Sequence, residues 1–449
     1  MIVMKFGGSS VASPEAIERT LSIVRKTESP VLVVVSAFGG ITDMLINASE
    51  MAALQDEGWR KHLQAIETRH FDAVRHLLPI AEQAGVLSKV KKEANTLETL
   101  LEGSFLIGEN TPKLLDRILS FGELMSATII ASYYQSKGVK AVFQDSRALI
   151  RTDDSYGNAQ VDHELTRKQI ASTLDGMHPV VVLPGFIASN PEGHTTTLGR
   201  GGSDYSAALF AAATGAKQLE IWTDVSGMFT ANPRLVKGAR AIPLLSYEEA
   251  MELSHFGAKV LYPPTIQPVL QTGIPLLIRN TFAPDDPGTR IEASGNEKGR
   301  TVRGISYVPE IGLLSLEGPG MVGIPGISKR FFEVLSEEGI NIVFITQASS
   351  EHSICVGVSE TQLQRASQAV NKRFSYEIAL GEIDPVSVEP GLCVVALVGD
   401  QMKHHQGLSG KMFSALGRNN VNIRAIAQGA SERNISAVIR EEDVKKALN

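Results

Sequence analysis

The sequence predicts an α/β protein in which a mostly parallel central sheet sandwiched by helices is followed by a smaller α/β module used twice. Three observations carry that prediction. Continuous β-branched runs alternate with helical patterns from the first residue. A turn-rich stretch near 284–300 interrupts the alternation. Beyond it, two segments repeat each other at an offset of 81 residues.

The elements follow in order. Ile2 to Phe6 is a short apolar run, broken by Gly7-Gly8-Ser9-Ser10. Ser13-Pro14-Glu15 then opens a helix, with a capping serine, proline at the first helical position and an acid in the first turn. Val31 to Val35 is a continuous β-branched run of the kind buried on both faces in parallel sheets. Residues 50–135 read as mostly helical and polar-faced, a lid or side layer. Val180 to Leu183 and Leu219 to Trp222 repeat the strand pattern. Pro284-Asp285-Asp286-Pro287-Gly288-Thr289 and Ala293 to Gly299 read as turns and a linker, which sets expected domains at 1–290, 300–385 and 386–449. In the repeat, Gly326–Ile354 aligns with Gly407–Ile435, with matches at Gly326/Gly407, Phe332/Phe413, Asn341/Asn422, Gln347/Gln428 and Ile354/Ile435 among others. Self-similarity at one offset means one supersecondary unit used twice.

Composition narrows the class. The chain has 449 residues, 43% hydrophobic and 20% charged, with a formal net charge of −6. Enough apolar side chains exist to offset the entropy of ordering the chain, which excludes disorder. The acidic balance argues against nucleic acid as a partner. Cys355 and Cys393 are too few for a disulfide scaffold or a four-cysteine zinc site. No apolar run reaches the roughly 18 residues of a membrane helix, and the start has no signal-peptide pattern. A reducing, cytoplasmic setting is expected.

Four motifs carry chemistry. Lys5-Phe6-Gly7-Gly8-Ser9-Ser10 points an ammonium at the sheet edge where open α/β sheets bind ligands, and its glycines let backbone N–H groups approach a phosphate. The same residues also read as a plain βα turn with a solvated lysine. Thr195 to Asp204 delivers glycines and Arg200 onto a helix start that Ser203 or Asp204 can cap, an arrangement suited to anions. Trp222-Thr223-Asp224 and the loop to Arg234 suit a nucleotide but equally a structural loop, and Lys259 alone reads as solvated. Glu123, in Ser120 to Ser126, is placed to meet an ammonium or is a helix-start acid favoured by the helix dipole. Gly318-Pro319-Gly320-Met321-Val322-Gly323 matches a dinucleotide fingerprint, but the next strand ends without the acid that holds a ribose. Gly407 to Met412 is no Walker loop.

Taken together, Lys5-Phe6-Gly7-Gly8-Ser9-Ser10-Val11, Thr196 to Asp204 and Trp222-Thr223-Asp224-Val225 resemble the aspartokinase family over essentially the whole chain. The resemblance implies the amino-acid-kinase fold followed by two ferredoxin-like ACT modules. Ser9 stands where the family usually has threonine, and Phe229 where tyrosine is frequent, which puts a phenol role there in doubt. The implied reaction is transfer of the γ-phosphoryl group of ATP to the β-carboxylate of L-aspartate. By resemblance, Lys5 neutralises the transferring phosphoryl group, Asp204 holds Lys5, and Gly7, Gly8 and Ser9 cradle phosphate. Arg200, with Gly201 and Ser203 beside it, grips the aspartate α-carboxylate. Glu123 takes the ammonium, and Ser36 and Thr42 complete the pocket. Thr223, Asp224, Phe229, Arg234, Lys259 and Val260 match the nucleotide side, with Mg²⁺ carried mainly by the phosphates and no residue assigned as a metal ligand.

The resemblance also implies an amino-acid effector held by Ile324, Pro325, Gly326 and Ile327, facing Asn341, Ile342, Thr346, Gln347 and Glu351. The Ile-Thr-Gln and Ile-Ala-Gln runs look most like the kinase half of bifunctional aspartokinase–homoserine dehydrogenases, which favours threonine over lysine as effector. Module pairing across subunits implies a homodimer or higher homo-oligomer. The alternatives are an amino-acid sensor with an inactive kinase half and another amino-acid-kinase relative.

Overall fold

Strand ends that emerge side by side at one sheet edge position everything that follows. In a computed structural model of the protein, the structure describes residues 1–174, 176, 179–255, 261–294, 301–347, 352–400, 402, 405–429 and 433–448. The chain divides into two compact units. The first comprises Met1–Met228, Ala241–Tyr247 and 261–294, and the second Phe229–Arg240, 248–255 and the described residues from 301 to 448.

Elements in chain order are β1 (Ile2–Phe6), α1 (Pro14–Arg25), β2 (Val31–Val35), α2 (Ile41–Ala53), α3 (Trp59–Leu77), α4 (Ile80–Ile107), α5 (Pro112–Ser136), β3 (Ala141–Phe143), α6 (His163–Leu174), β4 (Val180–Pro184), β5 (Ile187–Ser189), β6 (Thr195–Thr197), α7 (Gly202–Thr214), β7 (Leu219–Thr223), β8 (Leu244–Ser246), α8 (Tyr247–His255), α9 (Ile266–Thr272), β9 (Leu276–Asn280) and β10 (Thr289–Glu292). The first unit holds an eight-stranded sheet in the order β3-β4-β2-β1-β7-β9-β10-β8. Strands β3 through β9 in that order are parallel, and β10 turns against β9. The β-branched runs become strands buried on both faces: every residue of β2 and β4 is buried. Helix α1 begins as expected, with the Ser13 hydroxyl accepting from the Ala16 N–H at 3.3 Å. Helices α2 to α5 are the predicted helical layer; α5 lies against β2, β3 and β4, and Trp59, Phe121 and Tyr134 are buried in the core these elements share.

The register aligns the carboxyl ends. Phe6 pairs with Val35 and with Trp222, Val35 with Pro184, and Thr223 with Asn280. The loops after β1, β2, β4, β7 and β9 therefore leave from one edge, the ligand edge of an open α/β sheet.

The second unit holds β11 (Val302–Glu317), α10 (Ile327–Glu337), β12 (Ile342–Gln347), β13 (Ser353–Ser359), α11 (Leu363–Arg373), α12 (Ser375–Ala379), β14 (Ser387–Gly399), α13 (Leu408–Arg418), β15 (Ile423–Gln428), β16 (Asn434–Arg440) and α14 (Val444–Leu448). One antiparallel six-stranded sheet runs β12-β13-β11-β14-β16-β15. The repeat persists in the fold: α10, β12 and β13 start at 327, 342 and 353, and α13, β15 and β16 start at 408, 423 and 434. The two copies sit side by side, joined by the long bent strands β11 and β14. Ile305 and Tyr307, from the first half of β11, pack with the core of the second copy around Cys393, Val395 and Leu416, together with Leu235 and Val236. The false dinucleotide fingerprint is a short turn, Pro319–Met321, whose Gly320 N–H donates to the Glu382 carbonyl at 2.8 Å.

Candidate active site

Lys5 lies at the end of β1 with its side chain buried, and its Nζ is 2.5 Å from Asp204 Oδ1. The side chains of the two residues are 11% and 13% exposed, so the pair is largely withdrawn from water, where charges interact strongly. Asp204 stands in the first turn of α7, where the helix dipole favours a carboxylate. The expected capping role of Ser203 or Asp204 is corrected: α7 begins at Gly202, and Gly201 occupies the cap position with φ 70° and no side-chain cap. A side chain at 201 is excluded twice, by that left-handed backbone and by a Cβ that would lie 2.4 Å from Tyr262 Cβ. Asp204, freed from capping, faces Lys5. Arg200, just before, is exposed and has no ion pair or hydrogen bond among the described residues.

The loop after β1 turns at once into a short 3-10 turn, Gly8–Val11. As at any helical N-terminus, its first N–H groups, those of Gly8 and Ser9, have no partner within it. Gly7 donates to the Trp222 carbonyl at 3.1 Å. Ser10, buried, donates to the same carbonyl at 3.2 Å and meets Thr281 Oγ1 at 2.7 Å, tying this loop to the ends of β7 and β9. Ser9 is exposed.

Glu123 is not a helix-start acid. Helix α5 begins at Pro112, so Glu123 lies three turns inside it, only 3% exposed. Its Oε1 accepts from the Ala37 N–H at 3.1 Å, while Oε2 is buried with no hydrogen-bond partner among the described residues. Burial pushes this carboxyl up to about 8, against the pull of the Ala37 N–H and of nearby Lys5. The helix reaches this depth because residue 122 is glycine: a Cβ there would lie 2.8 Å from Ala37 Cβ. Ser36 and Thr42, half-buried, flank the same loop, and Ser126 donates to the Ser36 carbonyl at 2.8 Å.

On the nucleotide side, Thr223 ends β7 and its hydroxyl donates to Asp224 Oδ1 at 3.1 Å. Phe229 and Arg234 belong to the second unit, unlike Thr223 and Asp224. Lys259, Val260 and Glu351 lie outside the described residues. Of the expected effector residues, Ile324 and Gln347 are exposed. Thr346, whose hydroxyl donates to the Ile426 carbonyl at 2.9 Å, and Gln347 line a cavity of ≈ 630 Å³ with Ser315, Cys355 and Arg424.

Two residues escaped the sequence reading. Arg69 on α3 donates from Nη1 to the Gly39 carbonyl at 2.7 Å and from Nη2 to the Ala12 carbonyl at 3.0 Å, pinning the loops after β1 and β2 together. Asp116 on α5 is 1% exposed and accepts from Thr197 and Gly157. Neither lies in a motif. An arginine and an aspartate on amphipathic helices read as solvated charges.

The chain has counterparts among known proteins. The amino acid kinase family profile matches residues 1–280, and an ACT domain profile matches 314–374 and 395–449. The chain is 33% identical over 458 residues to lysine-sensitive aspartokinase 3 of Escherichia coli, covering 100% of this chain and 97% of that protein. The chain belongs to the aspartokinase family. It superposes on the crystal structure of E. coli aspartokinase III in complex with aspartate and ADP with a TM-score of 0.86 at 31% identity, covering 100% of this chain and 98% of that one. It is also 36% identical over 455 residues to bifunctional aspartokinase/homoserine dehydrogenase 1, chloroplastic, of Arabidopsis thaliana, covering 99% of this chain but 50% of that relative. The chain thus spans about half the length of the bifunctional plant relatives it matches. The expected fold class, a largely parallel sheet followed by ACT modules, is observed.

Proposed function

We propose that the chain transfers the γ-phosphoryl group of ATP to the β-carboxylate of L-aspartate, and that an amino acid bound by the ACT modules regulates it. The observation that carries this reading is the buried Lys5–Asp204 pair beside Glu123, whose second carboxylate oxygen has no hydrogen-bond partner among the described residues. A β-carboxylate oxygen of aspartate attacks the γ-phosphorus, the bond from phosphorus to the bridging oxygen breaks, and ADP departs with that electron pair. Such a transfer needs positioning and charge neutralisation more than covalent help.

Lys5 supplies positive charge to the phosphoryl oxygens, held in place by Asp204. The N–H groups of Gly8 and Ser9 and the Ser9 hydroxyl bind phosphate. Glu123 receives the substrate ammonium on Oε2, and Arg200 closes on the α-carboxylate with a fork suited to it. Ser36, Thr42, Gly201 and Ser203 complete the amino-acid side, and Thr223, Asp224, Phe229, Arg234, Lys259 and Val260 the nucleotide side. The donor set at the edge, an ammonium, backbone amides and hydroxyls, suits phosphate oxygens, so Mg²⁺ is best carried by the nucleotide. Effector contacts are assigned to Ile324, Pro325, Gly326, Ile327, Asn341, Ile342, Thr346, Gln347 and Glu351, with threonine favoured over lysine. The likeness to a lysine-sensitive relative makes lysine the competing effector. The chain works as a homodimer or larger homo-oligomer in the cytoplasm, at the head of a route to amino acids made from aspartate.

The test is ADP release from Mg-ATP, with and without L-aspartate, threonine and lysine. Aspartate-dependent release suppressed by threonine is the expected result. Release suppressed by lysine alone overturns the effector assignment, and no aspartate-dependent release overturns the kinase reading.

A further inference from the structure

We propose that Asp116 is a positioning residue for the amino-acid substrate, holding the Arg200 loop in register with Glu123. This inference rests on the aspartate-kinase reading above.

Asp116 is a buried carboxylate whose partners are hydrogen-bond donors of a single loop system. It accepts from the Thr197 N–H at 2.9 Å, the Thr197 hydroxyl at 2.7 Å and the Gly157 N–H at 3.0 Å. No lysine or arginine pairs with it among the described residues. Burial holds its carboxyl above the usual carboxylate range, against the opposing pull of these three donors. A carboxylate that collects several donors makes short, strong, directional bonds. Here they fasten strand β6 and the 157 loop to α5.

That fastening leads directly to Arg200. The Thr197 carbonyl accepts from the Ala159 N–H at 2.9 Å, so β6 and the 157–159 loop are themselves joined. Gly199 then leans on the same loop. It has φ 69°, and a Cβ there would lie 2.6 Å from Asn158 Oδ1 and 3.1 Å from the Gly157 carbonyl oxygen. Arg200 follows, and its side chain has no hydrogen bond or ion pair among the described residues. Its approach is set by Thr197 and Gly199, both of which precede it, and each of these two supports leads to Asp116, while the Leu198 N–H between them donates to the Phe186 carbonyl at 3.0 Å.

The same helix carries Glu123. Seven residues separate it from Asp116, two turns or about 10 Å at the helical rise, so the two carboxylates share one face of α5. One rigid helix thereby references both ends of the substrate: the ammonium through Glu123 itself and the α-carboxylate through Asp116, Thr197 and Arg200. A displacement near 1 Å in such a constellation costs up to about 100-fold in rate.

The experiment is steady-state kinetics of full-length Asp116→Asn with Mg-ATP and L-aspartate beside the wild-type protein. The amide keeps the size but turns an NH₂ group towards N–H donors. KM for aspartate should rise about tenfold or more while KM for ATP stays within about twofold and kcat falls much less. An unchanged KM for aspartate overturns the proposal. So does a parallel loss of both KM values with a lowered Tm, the signature of a purely structural fastening. Thr197→Val, which removes only the hydroxyl donor, decides the matter if Asp116→Asn does not fold: a selective rise in KM for aspartate supports the positioning role, and unaltered kinetics contradict it. A wild-type protein without aspartate-dependent turnover would instead defeat the kinase reading and this inference with it.

Discussion

The two units of the chain place their charges in opposite ways. In the first, Lys5, Asp116, Glu123 and Asp204 are withdrawn from water at the carboxyl edge of a parallel sheet, each facing a named partner or an open position. In the second, the cores of both copies are aliphatic and aromatic, and pairs such as Arg330–Glu377, Arg373–Glu333 and Arg424–Glu389 are at least partly exposed. Among the described residues, the pair Arg303–Glu249 departs from this in being buried. Burying an ionisable group is expensive unless its partners are in place. A unit that does so repeatedly at one edge is organised for electrostatic work, whereas a repeated module with surface charges is organised for folding and contact.

Three substitutions probe this contrast, from the largest effect to the smallest. Lys5→Ala should lower kcat by about 10³-fold, the scale of losing one preorganised charge at a transferring group. It also leaves Asp204 uncompensated in a largely buried place, so a thermal melt should show a loss of stability. Turnover near that of the wild type would remove Lys5 from the chemistry and reduce the pair to structure.

Glu123→Gln is next. The folded carboxyl titrates near 8 against an ordinary value of 4.5. Between those values the folded protein binds more protons than the unfolded chain, so stability falls as pH rises through this window. The glutamine variant should lose that dependence and be more stable than wild type at about pH 8. Its KM for aspartate should be about tenfold higher or more. In the wild type, KM for aspartate should fall as pH rises from about 6 to about 8, because the ammonium needs the ionised form. A wild-type KM flat across that range contradicts the role.

Arg424→Ala, which opens an exposed pair with Glu389 at 3.0 Å, should change the unfolding free energy by less than about 1 kcal/mol. Turnover without effector should not change. Urea unfolding and the ADP assay check both, and a large loss in either would erase the distinction between the units.

Much of this arrangement was legible in the residues. Val31–Val35 and Val180–Pro184 announce buried parallel strands, because only a sheet covered on both faces accepts so many β-branched side chains. The repeat survives intact, with Gly326 and Gly407 opening α10 and α13 in left-handed conformations. Lys5 and Asp204 stand in glycine-rich motifs whose chemistry is local. Depth was not legible. Glu123 looks like a helix-start acid because its position within a 25-residue helix depends on where the helix begins, at Pro112. Nor was the cap legible, because Gly201, in a left-handed conformation, starts α7 before Ser203 and Asp204 are reached. Arg69 and Asp116 gain their meaning from backbone carbonyls and amides 30 to 81 residues away, which no spacing rule reveals.

The most direct measurement is capture of the product with hydroxylamine, which converts an acyl phosphate to a hydroxamate. Wild-type protein given Mg-ATP, L-aspartate and hydroxylamine should form aspartyl hydroxamate in step with ADP, and Lys5→Ala should form almost none. ADP released without hydroxamate, or hydroxamate formed as readily by the Lys5 variant, would contradict the assignment of this buried edge to phosphorylation of aspartate.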